Sequence, residues 1–270
     1  MEAKKEKEKA HPSLRIMTYN IRRAGTEKKE ERLWNSRMPL VVKLIEHINP
    51  DIMGLQEAVE AQIIDLREKL PNFDSFGQSR GSSWWGMGTD EYNPIFYHKD
   101  KYELLANGTF SINQSIGWTP LKVRSTGWLP RICTWGKFKI KGTDTVFYVY
   151  NTHLDDKYEE ARLRGLDIIK QNIADQVDQY PVILMGDFNA EFEDAIKQKL
   201  VGFSATKNLA KEVSGPQETR TGWDDKELKA IDHILINDPE AIGVTSYKVV
   251  QTDGYPSDHR PVVADILFKK

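Results

Sequence analysis

Apolar residues recur along this chain in two rhythms. Short runs, LRIMTY (14–19), DIMGL (51–55), IFYH (95–98), VFYVY (146–150) and VILM (182–185), have the length and continuity of strands buried within a sheet. Further strands are predicted over Tyr102–Phe110, Ile132–Ile140, Ile231–Ile236, Val244–Thr252 and Val262–Phe268. Other segments follow the helical period. Leu40, Val41, Leu44, Ile45 and Ile48 share a face that Pro50 terminates, and Val59, Ile63, Leu66 and Leu70 mark a second helix ended by Pro71. Ala161, Leu166, Ile169, Ile173 and Val177 line a longer helix, and a short one is predicted over Phe192–Leu200. The stretch Gly77–Gly88, with Gly, Ser and the pair Trp84–Trp85, reads as a loop. Strands and helices mix without strict alternation, which predicts an α/β sandwich over a barrel or a doubly wound sheet.

Length and composition narrow this picture. A chain of 270 residues suffices for one large core and is short for two ordinary domains. The expected organisation is a charged flexible tail over residues 1–12 and one catalytic domain over 13–270. The tail alternates Lys and Glu with no apolar run behind it, and no stretch is apolar enough to span a membrane. The expectation is therefore a cytoplasmic protein without stable membrane insertion or an obligate protein partner. A net charge of −2 argues against the broad basic field of an indiscriminate nucleic-acid binder, though not against a local basic cleft. The single cysteine, Cys133, excludes an internal disulfide and a cysteine-built zinc site.

The candidate chemistry sits where the apolar runs end. Asn20 follows IMTY, Gln56 and Glu57 follow DIMGL, Asn151 and His153 follow VFYVY, and Asp187 and Asn189 follow VILMG. Asp232 opens IDHILI, and Asp258–His259 sits in PSDHRPV before the last strand. Singly, each is a turn former, helix cap or structural hydrogen-bonder. Together, carboxylates with Asn and His are what a hard divalent cation and a phosphate require. Mg²⁺ takes oxygen ligands and needs only one or two carboxylates, which leaves other groups to orient water and contact phosphate oxygens. No HExxH zinc motif, GxSxG nucleophile elbow or Walker loop is present.

These blocks carry a resemblance. TYN (18–20), GLQE (54–57), NTHLD (151–155), GDFNA (186–190), IDHIL (231–235) and SDHRPV (257–262), in this order across Leu14–Phe268, resemble the endonuclease/exonuclease/phosphatase superfamily. The resemblance implies a four-layer α/β sandwich in which two packed mixed sheets are flanked by helices. It implies a Mg²⁺-dependent phosphoester hydrolase, with Mn²⁺ as a possible substitute, that uses a protein-activated water for in-line attack. Glu57 becomes the principal metal ligand, with Asn20 and Asp258 beside it. Asp187 would activate the water, Asn189 would help position it, and His259 would face the phosphate, buttressed by Asp232. Glu91 is implied as the partner of His153, itself on the phosphate. Arg131 is placed to contact a phosphate oxygen, an ordinary surface ion pair being its alternative. Asp155 and Asp156 are expected as solvated loop charges.

The substrate is less determined. Trp84, Trp85, Trp118, Trp128 and Trp135 crowd the segment between Gly77 and Trp135, and Trp84–Trp85 is the better candidate for stacking on a base. The leading expectation is a nuclease-like phosphodiesterase on a small or single-stranded nucleic acid. A phosphatase or phospholipase acting on phosphoinositides, sugar phosphates or sphingomyelin is the alternative, and a non-catalytic binding module a remote one.

Overall fold

A computed structural model describes residues 11–81, 90–113, 127, 129–176, 180–192, 194–226 and 228–269. Trp84 and Trp85, Trp118, Trp128, Val177 and the first ten residues of the charged tail lie outside them. Thirteen strands form two sheets among the described residues. They are β1 (Ser13–Asn20), β2 (Ile52–Gln56), β3 (Phe73–Phe76), β4 (Ile95–His98), β5 (Tyr102–Ser111), β6 (Ile132–Ile140) and β7 (Val146–His153). They continue as β8 (Val182–Asp187), β9 (Ser204–Ala205), β10 (Glu212–Ser214), β11 (Asp232–Ile236), β12 (Ile242–Val249) and β13 (Val262–Phe268). The first sheet has the order β10-β12-β13-β1-β2-β4-β3 and the second β5-β6-β7-β8-β11-β9. Both are mixed: β1 and β2 run parallel in one, β7 and β8 in the other, among antiparallel neighbours.

The period of two along each strand explains the layers. On β1, Leu14 and Ile16 face the second sheet, where they join Phe138, Phe147, Ile183, Met185 and Ile234 in the central core. Met17 and Tyr19 point the other way, onto α1 (Trp34–Ile48) and α2 (Glu60–Lys69) through Val41, Ile45, Ile63 and Leu66. Tyr148, Tyr150 and Leu184 cover the outer face of the second sheet against α3 (Glu159–Gln176) and α4 (Asp194–Lys199). A further short helix, α5 (Thr206–Leu209), follows β9. The result is a four-layer α/β sandwich. Each large side chain buried in these layers contributes about 1.5–3 kcal/mol relative to exposure.

Several strands run further than the apolar pattern suggests. β7 continues through Asn151 to His153, because Asn151 is buried against the other sheet and fully engaged there. Its Nδ2 donates to the carbonyls of Leu55 and Pro94, and its Oδ1 accepts from Gln56 Nε2 at 2.7 Å. Buried polar groups persist when they are hydrogen-bonded. This pair needs the sheets close together, and Gly54 permits it: a Cβ there would lie 2.6 Å from the Asn151 side chain. β8 likewise runs to Asp187 through Gly186, whose φ of +148° disfavours a side chain and where a Cβ would collide with the Thr152 carbonyl oxygen.

One buried cation fixes the loops above the sheets. Arg37 on α1 is fully buried and donates to the carbonyls of Ile21, Arg22, Arg32 and Pro256 at 2.7–2.9 Å. Its guanidinium also lies 5.5 Å from the Trp34 ring and 5.6 Å from the Trp223 ring. Three segments distant in sequence thus meet at a single side chain.

Candidate active site

The strand ends of both sheets open onto one cleft. Asn20 and Glu57 come from the ends of β1 and β2, and Asp258 and His259 from the approach to β13, all in the first sheet. His153, Asp187 and Asp232 lie at the ends of β7, β8 and β11 in the second, with His153 opposite Asp187 and Asp187 opposite Asp232 in register. Asn20 bridges the two halves. Its Nδ2 donates to Glu57 Oε1 at 3.1 Å and to Asp187 Oδ2 at 3.0 Å.

Asp187 is the hub. His153 Nε2 lies 3.6 Å and His259 Nε2 3.8 Å from its Oδ2, while its Oδ1 accepts from the Asn189 backbone N–H at 2.8 Å. Behind His259, Nδ1 lies 2.8 Å from Asp232 Oδ2, so the carboxylate fixes the ring and leaves Nε2 facing the cleft. Asp232 is itself held by Thr219, whose hydroxyl accepts from the backbone N–H groups of Ile231 and Asp232.

Burial and charge divide these groups by task. Burial opposes a charge on His259, but Asp232 and Asp187 outweigh it and push the imidazole up to about 10. Burial, reinforced by the negative charge of Asp232, pushes Asp187 up to about 7, within reach of a general base at neutral pH. His153 moves the other way: burial and then the Arg131 and Arg80 guanidiniums hold it well below the ordinary histidine value, in its neutral form. Burial raises Glu57, yet Arg22 and the Asn20 hydrogen bond prevail and keep it ionised.

The backbone is strained where these side chains emerge. Arg22, Glu57 and Asn189 adopt positive φ of 54°, 60° and 49°. Each costs on the order of 1–3 kcal/mol for a non-glycine residue, and the surrounding structure must hold them there. For Arg22 the holding groups are visible: its N–H donates to Asn20 Oδ1 and its carbonyl accepts from Arg37.

Arg22 also tests whether the site suits a divalent cation. Its Nη1 lies 3.6 Å from Glu57 Oε2 and 4.0 Å from Asp258 Oδ2, so two hard oxygen donors already face one positive centre. The ligand atoms of Asp187, Asp232 and His259 also lie within 4.8 Å of one another. A histidine protonated near neutrality is a poor ligand, however, so Glu57 and Asp258 fit the cation better and the second cluster fits proton handling.

Two sequence expectations are corrected. Glu91 does not pair with His153; it accepts from Arg80 at 2.8 Å and Arg23 at 3.2 Å, because both guanidiniums reach its buried carboxylate. Asp155 is no solvated loop charge but is buried, accepting from the N–H groups of Lys157 and Tyr158 ahead of α3. Arg131 is buried rather than superficial, and Asp156, which remains exposed, pairs with it at 2.7 Å. Trp84 and Trp85 fall outside the described residues.

The residues that the sequence reading missed are the other arginines. Arg22, Arg23, Arg80 and Arg220 join the expected Arg131 in lining the cleft, which encloses about 330 Å³ together with Glu57, His153, Asp187, Asn189, Asp258 and His259. Arg22–Arg23 directly follows the strand-end Asn20, and that adjacency was the available signal.

Comparison with known proteins places this geometry. The sequence profile of the endonuclease/exonuclease/phosphatase family matches residues 17–259. The chain belongs to that family. Its fold closely matches that of a family member from Bacteroides vulgatus, with a TM-score of 0.84 and 29% identity over 96% of this chain and 100% of that one. A mannosyl-6-phosphatase from Bacteroides thetaiotaomicron gives a TM-score of 0.79 and 27% identity, over 94% of this chain and 100% of the other. Nocturnin from Rattus norvegicus is 24% identical over 97% of this chain and 67% of its own length. Members of the family are phosphoester hydrolases that typically use divalent metals. No helix among the described residues is long and apolar enough to cross a membrane.

Proposed function

We propose that this chain is a Mg²⁺-dependent phosphoester hydrolase that removes a terminal phosphate from a small phosphorylated molecule by attack of an activated water. The observation that carries this reading is the cleft itself, in which Asp187 and His259, with Asp232 behind it, share a floor with five arginines. A terminal phosphate carries about two negative charges at pH 7, against one on a diester. The lining sets five arginines against five carboxylates, and Asp232 behind it offsets the protonated His259, so a divalent cation on Glu57 and Asp258 would tip the balance positive. Likeness to a mannosyl-6-phosphatase agrees with a small substrate. Sequence alone favours a nuclease-like diesterase; the arginine lining moves the preference to a terminal phosphate.

In this mechanism the phosphate rests between Asn20, His153, Asn189 and His259. Asp187 takes the proton of the attacking water, with a basicity matched to that task. His259 directs a charged N–H at the phosphoryl oxygens and offsets the charge that grows on them. A divalent cation on Glu57 and Asp258 would supply further electrostatic stabilisation of that charge. Neutral His153 can offer a hydrogen bond without repelling Arg131 and Arg80.

The test is phosphate release by the purified protein with Mg²⁺ or Mn²⁺, with Asp187→Asn and His259→Ala as controls. Substrates would include hexose phosphates, single- and double-stranded nucleic acid, a phosphoinositide and sphingomyelin. Turnover of the monoesters is expected, lowered about 10²-fold or more in each control. Cleavage of internal nucleic-acid diesters without monoester turnover would overturn the terminal-phosphate reading in favour of a nuclease.

A further inference from the structure

The arginines of the cleft are not all accounted for by one phosphate. Arg131 is 5% exposed, and among the described residues its guanidinium has one hydrogen-bond partner, Asp156. Nε and Nη1 have none. An orphaned buried donor is destabilising, and a native protein retains one where an ion or ligand completes it. Asp156 is itself a replaceable partner: its side chain is 67% exposed, and exposed ion pairs contribute little.

The sheet fixes where this unfinished site lies. Along the second sheet β6, β7, β8 and β11 are successive neighbours, and Cys133 on β6 is opposite Thr152 on β7. Arg131, just ahead of β6, therefore stands one strand beyond His153 and two beyond Asp187. Strands are about 4.8 Å apart, so its backbone is roughly 10 Å from that of Asp187. Its Nη2 is engaged by Asp156, which lines the same cleft. Arg80 lies nearby, as its charge and that of Arg131 both bear on His153, and its side chain is also 5% exposed.

We propose that Arg131, with Arg80 beside it, forms a second anion subsite one strand out from the reaction centre. The substrate is then a small phosphomonoester that carries another anionic group, a phosphate or a carboxylate, which displaces Asp156 and completes the Arg131 guanidinium. This rests on the terminal-phosphate reading for which group is cleaved, but binding can be measured without turnover.

The experiment is calorimetric titration of Asp187→Asn protein in Mg²⁺ with a hexose monophosphate, a hexose bisphosphate and a phosphoglycerate, repeated in Asp187→Asn/Arg131→Gln. At least one doubly anionic ligand should bind about 10- to 100-fold more tightly than the monophosphate, the scale of one charge-assisted guanidinium contact. Arg131→Gln should remove that advantage and Arg131→Lys should restore part of it, with melting temperature reporting that each variant is folded. Which ligand gains identifies the second group. Equal affinity for all three ligands, or an equal loss for all three in Arg131→Gln, would overturn the subsite. Steady-state KM values of the native protein separate the two readings. Failure of every monoester to turn over, with Arg131-dependent binding intact, sinks the proposed reaction and leaves the subsite standing. Turnover without any preference for doubly anionic substrates does the reverse.

Discussion

Replacing Asp232 by Asn probes the logic of the site, because that carboxylate acts on two titrating neighbours in the same direction. Its charge helps to raise both His259 and Asp187. The contact with His259 is a charge-assisted hydrogen bond of 2.8 Å in a pocket where Asp232 is wholly buried. Such a bond is worth about 1.5–3 kcal/mol, and 1.36 kcal/mol corresponds to one pKa unit, so its loss should lower His259 by about one to two units. Activity needs Asp187 ionised and His259 protonated, which gives a bell in kcat/KM against pH. The acid limb follows Asp187 near 7, with activity lost as pH falls through it; the alkaline limb follows His259 near 10, with activity lost as pH rises through it. In Asp232→Asn both limbs should therefore move to lower pH, the alkaline one by about one to two units. The plateau should fall about 10²-fold as the ring loses its orientation. The assay is a kcat/KM profile from about pH 5 upward at a fixed Mg²⁺ concentration, ended below the pH at which that Mg²⁺ precipitates as hydroxide; the lowered alkaline limb of Asp232→Asn falls within that range. Limbs that stay in place, or an acid limb that moves upward, would refute this assignment of base and acid.

Three further outcomes follow from the same structure. Glu57→Gln should raise the Mg²⁺ concentration needed for half-maximal activity by about 10-fold or more and diminish the metal-dependent gain in melting temperature, as read by thermal scans across a Mg²⁺ series. Arg37→Met should destabilise the fold by about 3–5 kcal/mol, since four carbonyls lose their donor, and chemical denaturation would measure it. Gly186→Ala should cost more than about 2 kcal/mol through the clash with the Thr152 carbonyl and should displace Asp187, so stability and turnover fall together; an unchanged denaturation midpoint would contradict the close approach.

The layered fold was legible in the sequence because the central strands are continuous apolar runs and the helices keep a clear face. What the pattern understated was strand length. Asn151, His153, Gly186 and Asp187 read as following the strands, yet they belong to them, with His153 and Asp187 as last residues; Asn151 and Asp187 are hydrogen-bonded from the opposite sheet, and Gly186 has no Cβ to clash. β3, β9 and β10 were passed over, being two to four residues long and partly exposed. The floor of the cleft was legible as residues at strand ends in a fixed order. Its walls were not. Arg80 and Arg220 reach the cleft through connections whose course depends on tertiary packing, and the partner of Glu91 depends on which cation that packing delivers.

Each sheet carries an incomplete half of the reaction centre, and the halves meet through Asn20 to Asp187 and His259 to Asp232. The distance between them is set by side chains far from any substrate, such as Phe147 packed on Phe268 with ring centroids 4.9 Å apart. The core thus works as a spacer gauge: trimming it would detune the chemistry even with every polar residue intact. The arginines of the wall stand on connections outside the strands. Their side chains could be exchanged without resetting the gauge, so substrate choice and hydrolytic power are separately adjustable.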